Sequence, residues 1–212
     1  MKKFTFIYLL LFSFIYSEIA DVSFVMKGGY SPLGFYKQTL TNNDTGTSIE
    51  EKSAVTSTIT ANFELHSRSK SLENFYYGAG LGYIGSGTLA DPVDGSNKVG
   101  VDYFPIYLFL QYEPESEHYF DFLMYFTIRG GISYVRDQGR SSENGGFGSG
   151  FSTSSPYGGF SWGFEKENLM IEAFYDFNIG ASANITPIGD MIIMQSRRIG
   201  LSLGYRINSG YR

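Results

Sequence analysis

"NFYYGAGLGYIGSG", residues 74–87, holds five glycines and four aromatic residues in fourteen positions. A helix would be destabilised by so much glycine, and a period of two divides the stretch cleanly. Phe75, Tyr77, Ala79, Leu81 and Tyr83 share one face of an extended strand, and Asn74, Tyr76, Gly78, Gly80 and Gly82 share the other. One face is bulky and apolar, the other small or polar. What each face meets decides the fold.

The alternation recurs along the chain, while helical spacing is nearly absent. Residues 21–37 set Val22, Phe24, Met26 and Tyr30 against Ser23, Lys27, Gly29 and Ser31. Residues 52–66 set Val55, Ile59, Ala61, Phe63 and Leu65 against Thr56, Thr58, Thr60, Asn62 and Glu64. After 74–87, the run 99–112 places Phe104, Ile106, Leu108, Leu110 and Tyr112 on one face. The run 119–134 opposes Phe122, Met124, Phe126, Ile128, Ile132 and Tyr134 to Asp121, Thr127, Arg129 and Ser133. A short sixth run, 157–164, carries Phe160, Trp162 and Phe164 opposite Tyr157, Gly159, Ser161 and Gly163. The seventh, 169–179, opposes Leu169, Ile171, Ala173, Tyr175, Phe177 and Ile179 to Glu172, Asp176 and Asn178. The eighth, 198–207, opposes Ile199, Leu201, Leu203, Tyr205 and Ile207 to Arg198, Gly200, Ser202, Gly204 and Arg206. Most of these runs are longer than usual globular strands and suit a tilted membrane crossing.

Connections alternate between long and short, which is the order of a barrel with both termini in the periplasm and its long loops outside. The expected outer loops are about 38–51, 86–98, 137–156 and 182–195. Backbone groups in lipid must all be paired, so a sheet there has to close on itself. The apolar face then meets lipid, and the Gly-and-polar face lines a lumen that eight strands leave just wide enough for side chains to fill. Tyr83, Tyr112, Tyr134, Trp162 and Tyr205 suit an interfacial girdle.

Export fits this reading. In "MKKFTFIYLLLFSFIYSEIA", Lys2 and Lys3 precede an apolar run, Phe4 to Tyr16, that is too short to span a bilayer. Residues 1–20 are the expected signal peptide, cut between about 17 and 20, and 21–212 the barrel. Cysteine is absent, so no disulfide is expected. Two histidines leave little for metal or His-based catalysis, and the net charge of −5 without a basic block argues against nucleic acid.

These alternating runs and connections resemble the small eight-stranded outer-membrane barrels of the OmpA, OmpX and opacity-protein type, over residues 21–207. The resemblance implies an all-β, antiparallel up-and-down transmembrane barrel in the outer membrane of a diderm bacterium, in contact with outer-membrane lipid and lipopolysaccharide. Such barrels usually end on a terminal aromatic. Here "LGYRINSGYR" runs past Tyr205 and closes on Arg212, with the strand end placed at Tyr205 to Ile207.

Motif matches do not divert this reading. Gly80, Gly82 and Gly85 fit G-x-G-x-x-G but lie inside a strand and open no helix. Gly159–Gly163 and Gly200–Gly204 fit G-x-S-x-G, yet both histidines precede them and neither serine sits at a strand-to-helix turn. His66 and His118 are expected as solvated residues at the periplasmic turns, on the wrong side for a lipid-modifying rim enzyme. No catalytic, cofactor or metal residue is assigned.

The inward charges are the candidate site: Lys27, Glu64, Asp121, Arg129, Glu172, Asp176, Arg198 and Arg206. Buried charges need partners, and the expected pairs are Lys27 with Glu64 and Arg206 with Glu172. A network plugging the lumen is favoured over a narrow polar path. The expected role is non-catalytic, structural or surface-interacting, with four displayed loops in which Phe147 and Phe151 are the candidate contacts for a host or surface ligand. A small pore or hydrophobic-solute channel is the alternative, and a rim enzyme ranks third. A soluble barrel with the faces reversed is the alternative at the level of fold.

Overall fold

The computed structural model describes residues 22–42, 44–85, 87–89, 101–114, 122–137, 152–184 and 191–208. The expected signal peptide, His118, Asp121, Phe147 and Phe151 lie outside the described residues. The strands are β1 (Val22–Thr41), β2 (Ser48–Thr56), β3 (Thr58–Arg68), β4 (Phe75–Ile84), β5 (Thr88–Leu89), β6 (Val101–Tyr112), β7 (Leu123–Asp137), β8 (Ser152–Lys166), β9 (Leu169–Asn184) and β10 (Met191–Asn208). Every pairing is antiparallel. The order β10-β9-β8-β7-β6-β4-β3-β1 closes on itself because β10 also pairs with β1. Since β2 and β3 form one crossing broken only at Ser57, and β5 is a two-residue segment on β2, eight crossings make the barrel. The protein is an eight-stranded, closed, up-and-down barrel.

Its surface is inverted relative to a water-soluble protein. On β6, Leu108 is 70% exposed while Tyr107 beside it is 2% exposed. Phe63, Leu81, Ile106, Ile128, Phe160, Ile171, Leu201 and Leu203 all point outward around the ring. Glu64, Arg129, Glu172 and Arg206 are buried inside. An apolar belt outside and charge inside are the arrangement of a barrel in lipid, and they rule out the reversed soluble barrel.

Two features depart from simple alternation. Ser57 has φ of 61°, and the facing β1 gains one residue relative to β10 between Tyr30 and Leu33. β1 and β2–β3 pass this level in step, from Ser31↔Thr58 to Gly34↔Val55. Both strands therefore change face together. Val55, expected outward, is buried in the lumen, because an extra residue exchanges inside for outside beyond it. Pro32 sits in the break, where its missing N–H disturbs no regular ladder.

The strands also run further than their alternation suggested. β1 and β2 form a hairpin that continues to Thr41↔Ser48, so it turns within the span expected as the loop 38–51. β8 begins at Ser152 rather than 157, and β10 at Met191 rather than 198. Ser and Thr dominate the β8 extension, Ser152–Ser155, where alternation of apolar and polar residues gave no signal.

Lumen glycines answer the question raised by residues 74–87. A Cβ on Gly80 would meet the Tyr107 ring at 2.5 Å, and one on Gly78 would meet the Phe109 ring at 2.6 Å. Both aromatics sit directly across the strand pair, as do Tyr125 over Gly163 and Phe174 over Gly200. The lumen is thus not only glycine and polar side chains, as its parity implied. Each glycine leaves the space into which a neighbouring strand lays a ring.

Candidate functional site

Three tiers of side chains fill the lumen. The middle tier is a closed ring of four charges drawn from β1, β3, β7 and β9. Lys27 Nζ lies 2.9 Å from Glu64 Oε2 and 3.0 Å from Glu172 Oε2. On the other side, Arg129 Nε donates to Glu64 Oε1 at 3.2 Å, and Arg129 Nη2 donates to Glu172 Oε1 at 3.0 Å. The ring is formally neutral, and all four side chains are within 3% of complete burial. Tyr107 donates to Glu64 at 2.9 Å, while Tyr125 and Ser161 donate to Glu172 at 3.3 and 3.1 Å. Two carboxylates so supplied with donors meet the condition under which buried ion pairs are tolerated.

His66 joins this tier. Expected as a solvated turn residue, it is fully buried, with Nε2 2.8 Å from Glu64 Oε2 and its ring 4.4 Å from that of Phe109. Its even number placed it on the lumen parity with Glu64, and that signal outweighs nearness to the chain's turn. Its Nδ1 has no hydrogen-bond partner among the described residues, so only one ring nitrogen is engaged, by Glu64.

The tier at the end of the barrel where β1 begins and β10 ends is organised by Arg206. Its Nη2 lies 2.7 Å from Glu165 Oε2 and 3.7 Å from Glu113 Oε1, and its Nη1 donates to Ser23 at 3.3 Å. The guanidinium also stands 5.3 Å from the Tyr76 ring. The expected pair with Glu172 is not formed. β9 starts at Leu169, which already faces Tyr205. Arg206 therefore lies below the end of β9 and reaches Glu165 on β8, while Glu172 is taken by Lys27 and Arg129. Glu165 and Glu113 were absent from the sequence-based set because each sits at a strand end, where alternation gives no direction.

In the outer tier, Tyr157 donates to Asp176 Oδ1 at 3.1 Å, and Arg198 stands 5.0 Å from the Tyr103 ring. Nε and Nη2 of Arg198 make no hydrogen bond among the described residues. Asn178 donates to Ser196 at 3.4 Å. The Tyr107 and Tyr157 rings, 5.4 Å apart, connect this tier to the middle one. Chemically, the middle ring and the Arg206 cluster hold their charges in fixed ion pairs, while Asp176 is held by the Tyr157 hydroxyl. No group of three metal-ligating side chains occurs among the described residues.

A closed barrel with a lipid-facing apolar exterior and an ion-paired lumen defines the class: a small eight-stranded outer-membrane β-barrel. No protein-family model matches the chain, and no curated protein does. Among solved structures it is similar to Neisserial surface protein A, at 11% identity over 86% of this chain and 96% of that one, with a TM-score of 0.43. It is also similar to the outer-membrane protease OmpT from Escherichia coli, at 10% identity over 88% and 97% of the two chains, TM-score 0.43. A third is Ail, the attachment invasion locus protein of Yersinia pestis, in complex with the heparin analogue sucrose octasulfate. Identity there is 13% over 89% and 100%, with a TM-score of 0.34. Likeness at this level carries no argument about activity.

Proposed function

We propose that this protein is a non-catalytic outer-membrane barrel with a sealed lumen, serving as a rigid base for surface interaction through its four outer loops. The middle-tier ring carries the reading: Lys27, Glu64, Arg129 and Glu172 link four strands across the lumen at 2.9–3.2 Å. An ion following a polar path would have to break these contacts, leaving buried charges uncompensated. A barrel of eight strands has little room to route around them. The candidate loop anchors remain Phe147 and Phe151, for a host or surface ligand.

Planar-bilayer recording of the refolded mature protein tests the sealed lumen, with a heat-dependent gel shift as the folding control. Silence from folded protein is expected. Discrete, reproducible steps that change with Arg129→Ala would overturn it in favour of the pore.

A further inference from the structure

The outer wall changes character at one level on three neighbouring crossings. Outward residues on β1 run Phe24, Met26, Tyr30, Leu33 and Phe35, and then Lys37. On β10 they run Leu203, Leu201 and Ile199, and then Arg197; on β3–β2 they pass Phe63 and Ile59 to Ala54, and then Lys52. Register places these ends side by side. Lys37 faces Lys52 and Gln195, while Phe35 faces Ala54 and Arg197. Together they line an open groove of about 740 Å³. From Phe24 to Phe35 the strand climbs about 36 Å at about 3.3 Å per residue. A tilt of about 40° projects that to about 28 Å, close to the height of the apolar band of such barrels. The groove therefore sits at the outer edge of the hydrocarbon.

Two of its three cations face outward only because of the paired irregularity at Pro32 and Ser57. With unbroken alternation, Lys37 and Lys52 would point into the lumen. Bulges recur where a side chain is re-aimed, and here one break on each of two paired strands turns a lysine to the same outside patch. The result is costly alone, since like charges directly opposed across a strand pair repel. Glu50 relieves part of it, with its carboxylate 2.6 Å from Lys37 Nζ and 2.9 Å from Lys52 Nζ. One carboxylate serves two ammonium groups, and Arg197 has no ion pair among the described residues. Three cations against one carboxylate leave a net charge of +2 over an apolar floor of Phe35 and Ala54.

We propose that this groove binds the phosphate of an anionic outer-leaflet lipid. Arg197 supplies a planar fork for phosphate oxygens, and Lys37 and Lys52 supply point charges. Phe35 receives the top of an acyl chain. A lipid headgroup rather than a soluble anion is the occupant, because the groove opens sideways through the barrel wall at the hydrocarbon edge. The site rests on the transmembrane reading of the barrel and is independent of what the loops bind.

The test uses the mature protein refolded into phosphatidylcholine vesicles containing a minor fraction of diphosphoryl lipid A. After detergent extraction, native mass spectrometry counts retained lipid A. Replacing all three cations (Lys37→Gln, Lys52→Gln, Arg197→Gln) is expected to lower retention about tenfold, and Arg197→Gln alone about threefold. Glu50→Gln is expected to raise it, and dephosphorylated lipid A to be lost equally from every variant. All positions are on the outer wall, and the heat-dependent gel shift reports folding; should the triple variant misfold, the two single variants decide. Equal retention by wild type and the folded variants would overturn the site. Full displacement by millimolar inorganic phosphate would overturn the lipid as occupant. A wild-type chain that does not enter vesicles would instead contradict the transmembrane barrel itself.

Discussion

At the scale of single residues, Glu172 is, like Glu64, a lumen carboxylate with four side-chain partners. It accepts from Lys27, Arg129, Tyr125 and Ser161. Glu172→Ala leaves two buried cations, Lys27 and Arg129, sharing the single carboxylate of Glu64. Breaking a buried pair from one side costs about 3–5 kcal/mol, so its urea unfolding midpoint in vesicles is expected to fall sharply. The chain's one tryptophan, Trp162, faces lipid and reports the transition by fluorescence. An unchanged midpoint would show that the ring is not what holds the lumen. A second expectation concerns space. Gly80→Ala drives a methyl into the Tyr107 ring, at a cost of about 1–3 kcal/mol. Combining it with Tyr107→Leu should cost less than the two single changes added together. Strict additivity would mean that the glycine serves the backbone and not the ring. Glu50 gives a third. Hydrogen bonds from Lys37 and then Lys52 hold its carboxyl below the ordinary glutamate value. The lowered folded value means that the hairpin gains from this contact above the unfolded glutamate value, and loses it as pH falls through the folded one. Carbon NMR titration should show the low midpoint, and Lys52→Ala should move it up; a midpoint unmoved by that change would remove Lys52 from the interaction.

At the scale of strands, the period of two placed every crossing, because lipid outside and charge inside impose opposite chemistry on adjacent residues. Alternation failed where the backbone itself steps out of phase. Nothing in "AVTSTI" marks Ser57 as a residue with positive φ, and Val55 looked outward on the parity of Ile59. Pro32 was the legible signal, since proline in a strand belongs at an edge or a bulge. Its consequence for Lys37 and Lys52 needed the pairing of both strands. Ser57 also gives an element-level prediction. A serine there tolerates φ of 61°, whereas a β-branched residue does not. Ser57→Val should lower the unfolding free energy by about 1–3 kcal/mol, and Ser57→Gly should leave it near wild type. Equal effects from the two would mean that the local backbone is not strained.

For the whole molecule, closure and the lumen's occupants follow different rules. Closure was legible, because eight crossings with alternating connections in lipid leave no other arrangement for the backbone. Who pairs with whom inside was only partly legible, since shear moves residues of neighbouring strands past one another. Lys27 meets Glu64 across adjacent strands, but Arg206 drops below β9 to Glu165, and Arg129 crosses the lumen to Glu172. Pairings through space do not follow sequence order. The lumen rings of Tyr107, Phe109, Tyr125 and Phe174 share the inner parity of their strands, but their bulk has no place in a narrow lumen until the facing glycines are known.

The absence of cysteine allows the lipid-facing exterior to be probed directly. Nitroxide labels on Ile199→Cys, Leu201→Cys and Leu203→Cys, each in the protein refolded into vesicles, report collision with lipid-soluble oxygen against a water-soluble nickel chelate. High oxygen and low nickel access at all three positions is the predicted result. High nickel access there, with the protein folded, would contradict a barrel whose outer wall lies in the membrane.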